Sequence, residues 1–329
     1  MADSLQNFYS RLPTVEQEMA RLVPRGAEPA EVYSLLWELL DRGGKRFRPL
    51  LCLASARAVG GIPKHALAAA TAIELFHNFT LIHDDIEDNS TLRRGKPCLH
   101  VTYGLPLAVN AGDGLFMMVW KAALRIRSRR SIQAQHALLG AFTAVLEGQA
   151  TELGWHHNHR WDISEEDYLA MIGGKTAALV AVSCQVGALL GGGDAKQCKA
   201  LNEFGRKIGL AFQIQDDTLN LVGTEAKYKK EIGGDIKEGK RTVMVIHALP
   251  KLSAADAARL KSTLGNAQAL DSDVAWCIET LRRTGSIAYA CKYSERLMDE
   301  ALVELHKLPK SAARDELEAV RRQMLERES

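Results

Sequence analysis

The apolar residues of this 329-residue chain recur three and four positions apart over long stretches, and alternation of period two, the mark of half-buried strands, is almost absent. Side chains at that spacing share one face of an α-helix, so the chain must bury helix against helix. Glycines at 43–44, 60–61, 191–193, 233–234 and 239 punctuate the periodic runs, and only nine prolines interrupt them. The pattern predicts helices over 28–41, 64–88, Thr143–Leu153, Ser164–Leu190 with a glycine pair inside, and Ala195–Leu221. Ala, Leu and Val on several faces predict central helices buried on most sides, as in a large bundle. No fixed-period repeat and no low-complexity linker divides the sequence, so residues 1–329 read as a single domain. Residues 251–329, richer in Arg, Glu and Lys, read as peripheral amphipathic helices.

Composition narrows the partners. A 47% apolar content excludes a disordered chain, and 42 Lys+Arg against 40 Asp+Glu leave a formal charge of +2. So small a charge predicts no nucleic-acid or membrane-surface partner through bulk electrostatics. The six cysteines, at 52, 98, 184, 198, 277 and 291, form no CxxC pair and no ladder, which points to a reducing cytoplasm. The N-terminus MADSLQNFYSRL carries early acid and no apolar segment, so no secretory signal is expected. The most apolar run, Thr176–Leu190, is interrupted by Ser183, Gln185 and Gly187 and reads as too short and mixed to span a membrane.

Chemistry concentrates where apolar helices end. Leu81-Ile82-His83-Asp84-Asp85-Ile86-Glu87-Asp88 places acids directly after a hydrophobic segment. At 100° per residue Asp88 lies one turn beyond Asp84 on the same face, while Asp85 points aside. Like charges so close repel by up to ~4 kcal/mol at an effective dielectric near 20, unless a cation sits between them. Gln213, Asp216, Asp217 and Asn220 repeat the arrangement along one stripe of a later helix. Two acidic helix ends of this kind predict a bundle-core site. Oxygen-only ligands favour Mg²⁺, completed by substrate phosphates and water. Carboxylates alone repel phosphate, and the sequence supplies cations: GGKRFRP at 43–49, RRGKP at 93–97, Lys175-Thr176, Lys229-Lys230 and GKRT at 239–242. Arginine offers a planar fork for phosphate oxygens and lysine a compact charge. Together with two Asp pairs they point to diphosphate.

These segments, with FQIQDD at 212–217 and GGDIKEGKRT at 233–242, resemble in their order the motifs of the trans-isoprenyl diphosphate synthases, or polyprenyl synthetases. The resemblance spans most of the chain. It implies antiparallel helices around a deep central cavity, the isoprenoid synthase fold, usually in a homodimer. It implies that Asp84 and Asp88 hold two Mg²⁺ on the allylic diphosphate and Asp216 a third, with Asp85 and Asp217 in support. Lys45, Arg48, His77 and Arg94 would bind isopentenyl diphosphate, while Arg93, Lys175, Gln213, Lys230 and Lys240 would face the allylic diphosphate. Thr176 would flank the reacting prenyl group. Product length is implied by Phe79, with a small residue at Thr80 and with Phe76 as a further candidate. An aromatic five positions before the motif resembles the archaeal-type geranylgeranyl synthases, giving a C20 product ahead of C15 or C25.

Two departures stand out. Asn220 replaces a third Asp that many relatives have, keeping an acceptor and losing a charge. Glu152 stands where relatives often have Asp, a change read as neutral. A terpene cyclase needs no isopentenyl site around Lys45, Arg48 and Arg94, and a non-catalytic subunit of a heteromeric synthase usually loses an Asp motif. His156, His157 and His159 are too tightly spaced for a zinc site on one helical face and read as a polar helix end. His83-Asp84 lacks the partners of a metal phosphohydrolase.

Overall fold

The computed structural model describes residues 2–223 and 232–325. These residues form two compact units interleaved along the sequence, one drawn from Met1–Phe142, Val182–Asn202 and Leu305–Val320, the other from Thr143–Ala181, Glu203–Glu304 and Arg321–Ser329. Both are built from helices, as the periodicity predicts.

In the first unit the central element is α5, Leu67–Glu87, packed against α4, Phe47–Ala58, and α7, Leu105–Ala123. Ala69, Ala70, Ala72, Ile73, Leu75, Phe76, Phe79 and Ile82 are all buried, so α5 is covered on most sides as expected. It begins later than the sequence predicts, because Pro63 opens a separate 3₁₀ turn over Pro63–Ala66. After α5 the chain makes a small antiparallel hairpin, β1, Leu92–Arg93, with β2, Lys96–Pro97. The connecting Arg94 and Gly95 both have positive φ, 53° and 77°, as two-residue hairpin turns require. This hairpin is a departure from the all-helical expectation, and RRGKP is what builds it.

Helix α8, Ser131–His157, is much longer than the predicted Thr143–Leu153. Gly140 and the polar Gln135 and His136 blur the apolar pattern upstream, but extending a helix that already exists costs little. Ile132, Leu139, Leu146 and Leu153 recur every seventh residue along it, and they are 68%, 49%, 50% and 38% exposed.

In the second unit α9, Glu165–Ile172, starts from a capping box in which the Ser164 hydroxyl accepts from the Asp167 N–H and the Asp167 carboxylate accepts from the Ser164 N–H. The predicted helix does not continue uniformly: the glycine pair forms a π-helical turn over Gly173–Ala177 before α10, Ala178–Leu190. Helix α11, Ala195–Val222, matches its expectation to within a residue. The helices Ala254–Thr263, Asp271–Arg283, Ser286–Leu305 and Ala312–Leu325 each bury one stripe, through Leu260, Cys277, Met298 and Leu317 among others. The Thr176–Leu190 run lies in a longer helix than its own length suggests. It belongs to a continuous helical stretch, Glu165–Leu190, that is long and apolar enough to cross a membrane by length and composition. As 61% of its apolar window is buried within the protein, the stretch behaves as a core helix.

Candidate active site

The last turn of α5 carries the first acidic cluster. The helix ends at Glu87 and Asp88 caps it, its N–H bonded to the Asp84 carbonyl at 2.8 Å, which sets the two aspartates one turn apart. Asp84 is half-buried and Asp88 exposed. Asp85 is different: it is 3% exposed and accepts hydrogen bonds from Arg93 Nε, at 2.7 Å, and from Arg93 Nη2. The hairpin turns the chain back after α5 and so delivers Arg93 to Asp85. Burial works against the Arg93 charge, and the Asp85 carboxylate more than offsets it.

The cationic residues of GGKRFRP lie in the loop before α4 and in its first turn, and Arg46 is tied to α5. Arg46, in the left-handed region at φ 46°, is buried and donates to Glu74 at 2.9 Å and to the Leu40 carbonyl at 2.8 Å. Asn78, one turn beyond Glu74 on α5, donates to the same Glu74 oxygen at 3.0 Å. Arg94 donates to the Gly43 carbonyl. The Arg48 Nε is buried without a hydrogen-bond partner among the described residues, and burial, only partly offset by Glu74, holds Arg48 below its ordinary value. His77 faces this group. Burial first, then the charges of Arg48, Arg94, Arg93 and Arg46, hold its imidazole well below 6.5, so it is neutral at pH 7. The structure therefore brings His77, Arg48 and Arg94 together, with Lys45 exposed in the preceding loop. A buried guanidinium nitrogen without a protein partner, as at Arg48, suits an anionic ligand.

The second acidic cluster lies on α11, in the other unit. Asp217 is 4% exposed and accepts from Tyr168 Oη at 2.7 Å and Gln213 Nε2 at 2.8 Å. Gln213 Oε1 accepts from Thr176 Oγ1 at 2.7 Å, so buried Thr176, Asp217 and Tyr168 form one hydrogen-bonded chain through half-buried Gln213. Burial and the neighbouring Asp235 push the Asp217 carboxyl up to about 7, against the pull of the Tyr168 and Gln213 hydrogen bonds. Asp216, on the adjacent face, is half-buried. Lys175 donates to Glu152 on α8, and Lys240 donates to Asp235 at 2.6 Å. Burial alone would raise the Glu152 carboxyl, but Lys175 and Lys240 outweigh it and lower it. The seam that carries Lys175 is narrow: a Cβ at Gly148 would lie 2.3 Å from the Lys175 nitrogen, and one at Gly174 would lie 2.6 Å from the Ala144 carbonyl. Only glycines allow α8 and the π turn to approach so closely. Lys230 lies outside the described residues.

Residues 29–281 match the polyprenyl synthetase family. The chain belongs to that family. This polyprenyl synthetase is 42% identical over 291 residues, 88% of each chain, to a short chain isoprenyl diphosphate synthase of Methanothermobacter thermautotrophicus. It is 38% identical over 279 residues to a geranylgeranyl diphosphate synthase of Saccharolobus solfataricus, covering 84% of this chain and 83% of the other. Its fold superposes on the crystal structure of geranylgeranyl pyrophosphate synthetase from Pyrococcus horikoshii with a TM-score of 0.92 at 35% identity, over 99% of this chain and 98% of that one. The protein is thus an all-α prenyltransferase with the isoprenoid synthase fold.

The donor set of this polyprenyl synthetase suits Mg²⁺. Among the described residues no three His, Cys, Asp or Glu side chains converge into a ready-made cage. Asp84 and Asp88, one turn apart, offer hard oxygen donors of the kind that hold Mg²⁺ when substrate phosphates and waters complete the shell.

Sequence reasoning missed several participants. Phe76 stacks on Phe142 with centroids 3.9 Å apart, Phe79 lies 5.1 Å from Phe116 and 4.7 Å from the His83 ring, and Phe116 meets Trp120 edge-on at 6.2 Å. The aromatic group around Phe79 and Phe76 thus draws on α7 and α8 as well as α5. Thr80 turns its hydroxyl to the His77 carbonyl at 2.9 Å. Tyr168, Glu74 and Asn78 had no motif to announce them, and Asp235, though inside GGDIKEGKRT, had nothing to mark its role.

Proposed function

We propose that this polyprenyl synthetase condenses isopentenyl diphosphate head to tail with dimethylallyl, geranyl and farnesyl diphosphates, giving all-trans geranylgeranyl diphosphate. What supports this is that α5 ends in an acid pair, Asp84 and Asp88, suited to a metal-held diphosphate, and two turns earlier carries neutral His77 beside the guanidinium groups of Arg48 and Arg94, suited to a diphosphate bound without metal. A cyclase of a single diphosphate needs only the first. The whole chain is read as one catalytic domain, since its two units are interleaved along the sequence.

Asp84 and Asp88 would hold Mg²⁺, with Asp216 as a further carboxylate donor assigned to the two or three ions, and the metal would supply charge neutralisation of the allylic diphosphate as a leaving group. Lys175, steadied by Glu152, and Lys240, steadied by Asp235, are the ammonium groups assigned to the allylic diphosphate in this reading. Lys45, Arg48, Arg94 and neutral His77 bind isopentenyl diphosphate. The allylic C–O bond breaks, C4 of the isopentenyl unit bonds to the allylic C1, and a proton leaves from C2 to the released diphosphate. Thr176 and Gln213, hydrogen-bonded to each other, hold their dipoles against the allylic cation. Phe79 and Phe76 end the space for the growing chain, while Thr80 leaves it open. The exposed seven-residue stripe on α8 supports a homodimer, because so regular an apolar line on a helix suits a second helix.

The test is incubation of purified protein with Mg²⁺, labelled isopentenyl diphosphate and each allylic diphosphate in turn, followed by sizing of the products. A C20 product is expected, and Phe79→Ala should lengthen it. Absence of labelled prenyl product from every pairing refutes the assignment.

A further inference from the structure

Asn220 departs from the family pattern, and its surroundings give it a different task from that of a metal ligand. It is 3% exposed, one turn beyond Asp216 on α11. Its Oδ1 accepts the Asp235 N–H at 3.0 Å and its own carbonyl accepts the Gly233 N–H at 2.7 Å, so both of its oxygens hold the start of the segment 233–240. Asp235 then passes the restraint on. Its carboxylate accepts from Lys240 Nζ at 2.6 Å, and its carbonyl accepts the Lys240 N–H at 2.9 Å. Between α11 and the Lys240 ammonium there is thus a continuous run of hydrogen bonds with one residue, Asp235, in the middle.

We propose that Asn220 is a positioning residue whose carboxamide fastens the Gly233–Lys240 segment to α11 and thereby aims Lys240 at the allylic diphosphate. The proposal rests on the function assigned above, in which Lys240 contacts that anion. Because the essential property is an acceptor oxygen, an aspartate can replace it and an alanine cannot.

The test compares Asn220→Ala, Asn220→Asp, Lys240→Ala and the double variant Asn220→Ala/Lys240→Ala in the full-length protein. Hydrogen–deuterium exchange of the substrate-free protein reads the fastening directly. The Asp235 amide should exchange at least tenfold faster in Asn220→Ala and within threefold of the parent in Asn220→Asp. Steady-state kinetics should show the allylic kcat/KM at least tenfold lower in Asn220→Ala and restored to within threefold in Asn220→Asp. The double variant should be no worse than Lys240→Ala alone, since both changes act through one ammonium. An unchanged Asp235 exchange rate in Asn220→Ala, a double variant that loses the product of the two single losses, or an Asn220→Asp variant that regains protection without regaining rate would each overturn the proposal. A parent protein inactive with every substrate pair would overturn the assigned function instead, and the exchange result would still decide whether Asn220 fastens the segment.

Discussion

The two Asp-Asp pairs are nearly identical in sequence and opposite in environment. At the end of α5 the inner carboxylate, Asp85, is buried against a guanidinium, Arg93. On α11 the inner carboxylate, Asp217, is buried against a phenol and an amide, Tyr168 and Gln213, with another acid nearby. In both pairs the outer carboxylate is left more accessible, at Asp84 and Asp216. The same dipeptide therefore makes one ion pair and one group poised near neutral pH, and the partner brought in by the tertiary fold decides which.

If the outer acids serve substrate and the inner ones serve structure, Asp84→Ala should lower kcat by roughly a thousandfold, the scale of losing one electrostatic contact in a transition state. Its thermal midpoint should stay close to that of the parent; near-normal turnover with Mg²⁺ would break the distinction between outer and inner acids. Removing the partner of an inner acid should act on stability. Arg93→Ala strands the buried Asp85 carboxylate and should cost about 2–3 kcal/mol in urea unfolding, below the 3–5 of a fully buried pair because Arg93 is partly exposed. Tyr168→Phe takes only a neutral donor from Asp217 and should cost about 1 kcal/mol in the same experiment. Equal losses in the two variants would show that the environments differ less than their partners suggest.

The finest distinction lies in the slope of stability against pH. Asp217 has its folded pKa raised from 3.8 to about 7, so the folded protein holds that proton longer than the unfolded chain, and its contribution falls as pH rises between those values. His77 has its folded pKa depressed below 6.5, so the unfolded chain binds its proton first and the contribution falls as pH drops below 6.5. Asp217→Asn and His77→Ala should therefore tilt the pH–stability curve in opposite directions, measurable by thermal unfolding from pH 4 to 8. Tilts of the same sign would mean that one of these environments has been misassigned.

The sequence made the helices legible because periodicity, glycine and proline act locally, and it made the acidic clusters legible because they follow apolar runs. Asp88 one turn from Asp84 needed only helical geometry. What could not be read is pairing. Nothing in RRGKP says that a hairpin returns Arg93 to Asp85, nothing near Glu74 says that it holds Arg46, and nothing in DDTLN says that Asn220 grips a backbone fifteen residues away. The π turn was hidden too, since two glycines inside an apolar run read equally as a tolerated weakness or as a close approach.

That close approach sets a tolerance on the chemistry. At Gly148 and Gly174 main chain nearly touches main chain, leaving less clearance than a single methyl group. Glu152, four residues along α8 from Gly148, and Lys175, beside Gly174, are carried on the two sides of this contact. A side chain at either glycine would wedge the two backbones apart, so the spacing between that lysine and its acid depends on the absence of two methyl groups.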